Sequence, residues 1–132
     1  MNVDAFSRAW SLLKTKGINV NDSHAPYTDM ILDGRKTIET RRSRSLDSYI
    51  GDKVGLIRTG KGDAKLVGYV TLGQPKEYDN YNEFNRDRKR HRVPKGSPED
   101  KRGRSFGYPI RSKKKVQPRE IHSRGIISRE IK

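Results

Sequence analysis

The sequence predicts a small α+β barrel or half-barrel with flanking helices. Three observations carry this expectation. Apolar residues recur at helical spacing near the N-terminus, in Val3, Phe6, Trp10 and Leu13. Three runs with strand character follow between residues 37 and 72. The segment GKGDA at 60–64 joins two of them as a hairpin turn would.

The first helix is expected over about residues 3–15, with Asn2 or Asp4 able to cap its start and Gly17 placed to end it. Residues 1–24 accordingly read as a helical extension and 25–132 as the domain proper. A second, shorter helix is expected from Pro26, a favoured first-turn residue, to Gly34, a favoured residue just past a C-terminus. Strands are expected at TIETR (37–41), KVGLIRT (53–59) and KLVGYVTL (65–72); in the last, alternate residues divide between two faces. From about 78 to 104 the apolar pattern stops, and YNEFNRDRKRHRVPKGSPEDKRGR reads as a long basic loop. Strand character returns in FGYPI (106–110) and SRGIISREI (123–131), on either side of the basic connector RSKKKVQPRE.

A chain of 132 residues suits one domain, whose core buries roughly two thirds of the unfolded surface. Only 30% of the residues are apolar, so part of the chain is expected to lie outside the core. The absence of cysteine excludes disulfides, thiolate metal sites and cysteine nucleophiles, and favours a cytoplasmic protein. No basic and apolar leader and no run of 18 apolar residues is present, so no membrane partner is expected. The net charge of +14, with a pI near 10.2, favours a polyanionic partner. Basic residues cluster at 35–44, at 86–95 and again from Lys101 to Arg119.

The stretch ILDGRKTIETRR at 31–42 sets one acid, Glu39, among Arg35, Lys36, Arg41 and Arg42. On a strand, Thr37, Glu39 and Arg41 share a face opposite Ile38 and Thr40. With Ile38 packed into the barrel, Glu39 and Arg41 would sit in or beside a cleft, with Lys36 entering from the turn. A carboxylate held ionised by such cations serves selectivity, since it accepts hydrogen bonds from some ligands and repels others. The plainer alternative is an exposed ion pair worth less than about 1 kcal/mol.

Gly34, Lys36, Glu39 and Arg41 match the pattern GxKxxExR, followed by Gly51–Asp52 and by the glycines at 60 and 62. Over roughly residues 25–131 this arrangement, with HRVP at 91–94 and QPREIHSRGIISREI at the end, resembles the ASCH domain family of PUA-like β-barrels. The resemblance implies work on RNA, as a binding module for single strands or an extruded base. It also implies two hydrolytic alternatives, a ribonuclease and an N4-acetylcytidine amidohydrolase. In either, Lys36 and Glu39 would be catalytic. The amidohydrolase branch places a threonine where this chain has Glu39, so its nucleophile is missing here unless Thr37 or Thr40 substitutes.

The expected nucleic-acid contacts are Tyr27, Lys36, Glu39, Arg41, Arg42, Arg88, Arg90, His91 and Arg92. The loop cations would hold phosphates, and Tyr27, with Tyr78 or Tyr81, would stack on bases. RNA is the expected partner and DNA the second candidate. His24, His91 and His122 have no metal-binding spacing, so neither a metal nor another cofactor is expected. No pattern in the chain encodes an oligomeric state.

Overall fold

In the computed structural model, residues 16–121 and the backbone of 128–130 are described. The helix expected over 3–15 and the first part of the last expected strand lie outside these residues. The elements are β1 (Lys16–Asn21), α1 (Tyr27–Leu32), β2 (Ile38–Arg41), a 3-10 turn (Asp47–Tyr49), β3 (Lys53–Thr59), β4 (Lys65–Leu72), β5 (Lys76–Glu77), α2 (Tyr81–Arg86), α3 (Arg88–His91), α4 (Pro98–Arg102), β6 (Phe106–Glu120) and β7 (Ser128–Glu130).

The strands form one mixed sheet in the order β2-β6-β4-β3-β1-β7, with β5 also paired to β6. The β3–β4 hairpin forms as its alternating pattern requires, pairing Val54 with Val70 and Gly55 with Tyr69. β1 runs parallel to β3, from Gly17 opposite Gly55 to Asn21 opposite Thr59. Residues 16–21 thus belong to the sheet, although the sequence placed them in a helical extension. KGINVN is a short alternating run whose pattern the stronger helical periodicity before it obscured.

The main core gathers Ile18, Val20, Ile31, Leu46, Leu56, Val70, Leu72 and Tyr108 between the sheet and α1. Asp22 anchors the start of α1 by accepting hydrogen bonds from the Thr28 backbone N–H and hydroxyl. Gly34, with φ of 87°, ends the helix where a residue with a Cβ would be strained.

Two expectations are corrected. The segment 78–104 is no open loop: it holds α2, α3 and α4 around a second small core of Tyr78, Phe84 and Val93. Asn80 caps α2 by accepting from the Glu83 N–H, and Ser97 caps α4 by accepting from the Asp100 N–H. Arg88 ties the segment together through Asp100, Tyr81, Asn85 and the Val93 carbonyl. The basic connector after residue 110 is also no loop, since β6 continues through it to Glu120 against β4. An edge strand tolerates charge and proline that a central strand would not.

Candidate functional site

The sheet order separates β1 from β2, yet Asn19–Asn21 of β1 and Glu39–Arg41 of β2 line one cleft. The sheet therefore curls into a half-barrel, and a side chain bridges its seam: Arg41 Nη2 donates to the Asn19 carbonyl at 2.7 Å. The cleft at this seam has a volume of about 140 Å³. Its remaining walls come from Tyr27, Lys36, Thr59, Val93, Glu99 and Arg104.

Glu39 is the centre of its charge network. One carboxylate oxygen lies 3.5 Å from Lys36 Nζ and the other 3.0 Å from Arg41 Nη2. Lys36, 2% exposed, also donates to the His91 carbonyl. Burial alone would push the Glu39 carboxyl up, but Lys36, Arg41 and Arg104 outweigh it and hold the group below its ordinary range. Burial pulls Lys36 below the usual lysine range against the opposing pull of Glu39. The plainer reading of Glu39 as an exposed ion pair is thus corrected: Glu39 and Lys36 are buried, each would be costly to leave alone, and Arg41 is partly buried.

The face assignment is corrected as well. Glu39 pairs across the sheet with Tyr108, a member of the main core, so the Glu39 face is the interior one. Ile38 lies on the opposite face, with Gly107 and Tyr78, beneath the 78–104 segment. The site is a carboxylate at the mouth of the half-barrel because the helical segment covers the strand's outer side.

Of the expected contact residues, Tyr27, Lys36, Glu39 and Arg41 converge in this cleft. Lys36 Nζ lies over the Tyr27 ring, 5.0 Å from its centre, so a cation already occupies one face of the ring expected to stack on a base. Arg42, Arg90 and Arg92 are exposed outside its walls, and Arg90 lies 3.4 Å from Asp87. Arg88 is consumed by the internal contacts of the helical segment. His91 is fully buried and stacked on Phe84; one ring nitrogen contacts the Phe84 carbonyl and the other accepts from the Val93 N–H. Burial lowers its pKa to about 4, so it is a neutral structural group without access to a nucleotide. Tyr78 is likewise a core residue, bonded to Asp87, whereas Tyr81 is half exposed. Among the described residues, no cluster of His, Cys, Asp and Glu could hold a metal ion, and no helix is long and apolar enough to cross a membrane.

Sequence reading missed Glu99 and Arg104, which the helical segment swings over the seam. Glu99 is bonded through one oxygen to His24 Nδ1 at 2.9 Å. Burial disfavours its charge, yet the hydrogen bond from His24 helps to hold it below its ordinary range. Burial also lowers Arg104, with Glu39 opposing. Tyr27 Oη, the second Glu99 oxygen and Arg104 Nε are all buried without a hydrogen-bond partner within the protein. Such groups cost roughly 1–3 kcal/mol each when left unpaired, and here they surround a single cavity.

The sequence profile of the ASCH domain matches residues 23–122. The chain belongs to the ASCH domain family. This ASCH domain is similar to the crystal structure of ASCH from Zymomonas mobilis, with a TM-score of 0.59 and 16% identity, over 80% of this chain and 72% of that one. It also matches a serine-to-alanine mutant of the Zymomonas mobilis protein at a TM-score of 0.60 and 16% identity, covering 82% of this chain and 75% of the other. At that identity the likeness concerns the fold. No curated protein matches this ASCH domain.

Proposed function

We propose that this ASCH domain binds single-stranded nucleic acid, RNA foremost, by taking one base into the seam cleft. The observation that carries the reading is the ring of unpartnered buried polar atoms, Tyr27 Oη, Glu99 Oε2 and Arg104 Nε. Arg104 can donate, ionised Glu99 can accept, and the tyrosine hydroxyl can do either. A base edge offers N–H donors beside carbonyl or ring-nitrogen acceptors, which meets that mixture. The cleft is smaller than the roughly 300 Å³ of a drug-sized site, in keeping with one ring rather than a whole nucleotide. Its cations Lys36, Arg41 and Arg104 are largely offset by Glu39 and Glu99, which suits a neutral base better than a phosphate.

The test is a titration of labelled single-stranded RNA into the protein and into Arg104→Gln. Loss of one charge-assisted hydrogen bond is expected to weaken binding by roughly tenfold or more, measured on protein whose folding is verified by circular dichroism. Equal affinity of the two proteins would contradict the placement of the base.

Hydrolysis is the second reading, and the lowered pKa of Lys36 is the observation that favours it, since a general base works best near neutrality. Against it, Lys36 is engaged by Glu39 and the His91 carbonyl, and Glu39 occupies the place of the amidohydrolase threonine. Thr40 is buried and lines the cleft, whereas Thr37 is exposed and does not line it. Incubation with N4-acetylcytidine is expected to release no acetate above background. Turnover that disappears in Lys36→Met would favour the enzyme.

A further inference from the structure

We propose that a second groove, on the other side of Lys36 and lined by Gly34, Thr37, Arg111, Ser112 and Lys113, binds a backbone phosphate of the strand whose base enters the cleft. The inference rests on the nucleic-acid reading above and adds a subsite to it. The groove has a volume of about 240 Å³ and shares Lys36 with the cleft as a common wall. Thr37, just before β2, lines the groove, and Glu39, Thr40 and Arg41 of β2 line the cleft.

Charge separates the two cavities. The cleft is close to balance and would gain little from a phosphate. In the groove, Arg111 and Lys113 are exposed and make no ion pair among the described residues. The nearby acid Asp33 is already held by Arg35 at 2.7 Å. Phosphate oxygens accept only, and the residues lining the groove carry donors: the ammonium of Lys113, the hydroxyls of Thr37 and Ser112, and the guanidinium of Arg111, which rests beside Gly73. Gly34 keeps its floor open, since a Cβ there would meet Lys113 Nζ at 3.3 Å.

Basic residues on an edge strand also guard it against pairing with another chain. Beyond residue 110, only β4 pairs with β6 among the described residues, so that protection is needed here. Lys114 supplies it without entering the groove, whereas Arg111 and Lys113 share a concave wall with buried Lys36.

The test compares three full-length proteins: wild type, Arg111→Gln with Lys113→Gln, and a charge-matched control, Lys16→Gln with Lys53→Gln, whose residues are exposed and line neither cavity. The affinity of a single-stranded RNA of about ten nucleotides is measured at several salt concentrations. For the groove variant the slope of log K against log salt should become shallower by about 0.7, the value for one lost phosphate contact, with the control unchanged. Binding of free nucleosides, which carry no phosphate, should be the same in all three. An unchanged slope in the groove variant, or an equal fall in the control, would overturn the groove and leave the cleft reading standing. Failure of the wild type to bind RNA at any salt concentration would overturn both.

Discussion

The seam cleft and strand β6 are both rich in Lys and Arg, but they handle the charge in opposite ways. In the cleft, buried Lys36 and partly buried Arg41 flank Glu39, and every charge depends on its neighbours. On β6, Arg111 to Lys115 stand exposed, and none takes part in an ion pair among the described residues. The cause is the dielectric: water stabilises an isolated surface ammonium, while an interior charge needs a partner. Cleft cations should therefore be coupled to folding, and β6 cations to the ligand rather than to folding.

The largest expected effect breaks the cleft side of this comparison. Lys36→Met keeps much of the side chain's length but removes one of the cations that hold buried Glu39 and the donor to the His91 carbonyl, and should cost about 3–5 kcal/mol in denaturant unfolding. Arg111→Gln and Lys113→Gln should each change stability by less than about 0.5 kcal/mol. Similar losses at both places would mean that burial does not set the difference.

Next in size is a pH effect from beneath the cleft. His91 titrates near 4 when folded and near its ordinary 6.5 when unfolded, so the unfolded chain takes up the proton first. Its contribution to stability is complete above about pH 6.5 and falls away as pH drops toward 4, by about 3 kcal/mol. Thermal unfolding followed by circular dichroism between pH 7 and 4 should show this decline, and His91→Gln should flatten it. An equally steep decline in the variant would assign the effect elsewhere.

Tyr27→Phe sharpens the comparison more gently. It removes an unpartnered hydroxyl from the cleft, so RNA affinity should fall by about three- to tenfold while stability holds or rises slightly. Arg42→Gln should do least. The residue is exposed outside the cleft walls, and its loss should change affinity by less than about twofold and the salt slope by no more than about 0.7.

The sequence exposed the strands well where a buried face imposed alternation. KVGLIRT and KLVGYVTL form β3 and β4 over the expected residues, and the GxKxxExR stretch delivers Lys36, Glu39 and Arg41 to one cavity. It failed where charge hid a local signal. Asn80 followed by Glu83, and SPED at 97–100, are helix-start patterns, but the density of Arg and Lys around them read as solvated loop. Glu99 and Arg104 were missed for the same reason, because only the folded segment brings them over the seam. His91 misled in the other direction: among Arg90 and Arg92 it resembled a ligand contact, yet Phe84 and Val93 enclose it. The length of β6 was hidden because its run from Arg111 to Glu120 has little apolar alternation to reveal it.

The central claim, that a base enters the seam cleft and meets Arg104, is tested most directly by following the arginine Nε–Hε signals of 15N-labelled protein during titration with single-stranded RNA. A saturable shift of the Arg104 signal is expected, produced also by a free nucleoside, with Arg42 unaffected by the nucleoside. Movement of Arg42 and Arg90 on adding RNA, with Arg104 unchanged throughout, would contradict it and leave only a diffuse attraction between the basic surface and the polyanion.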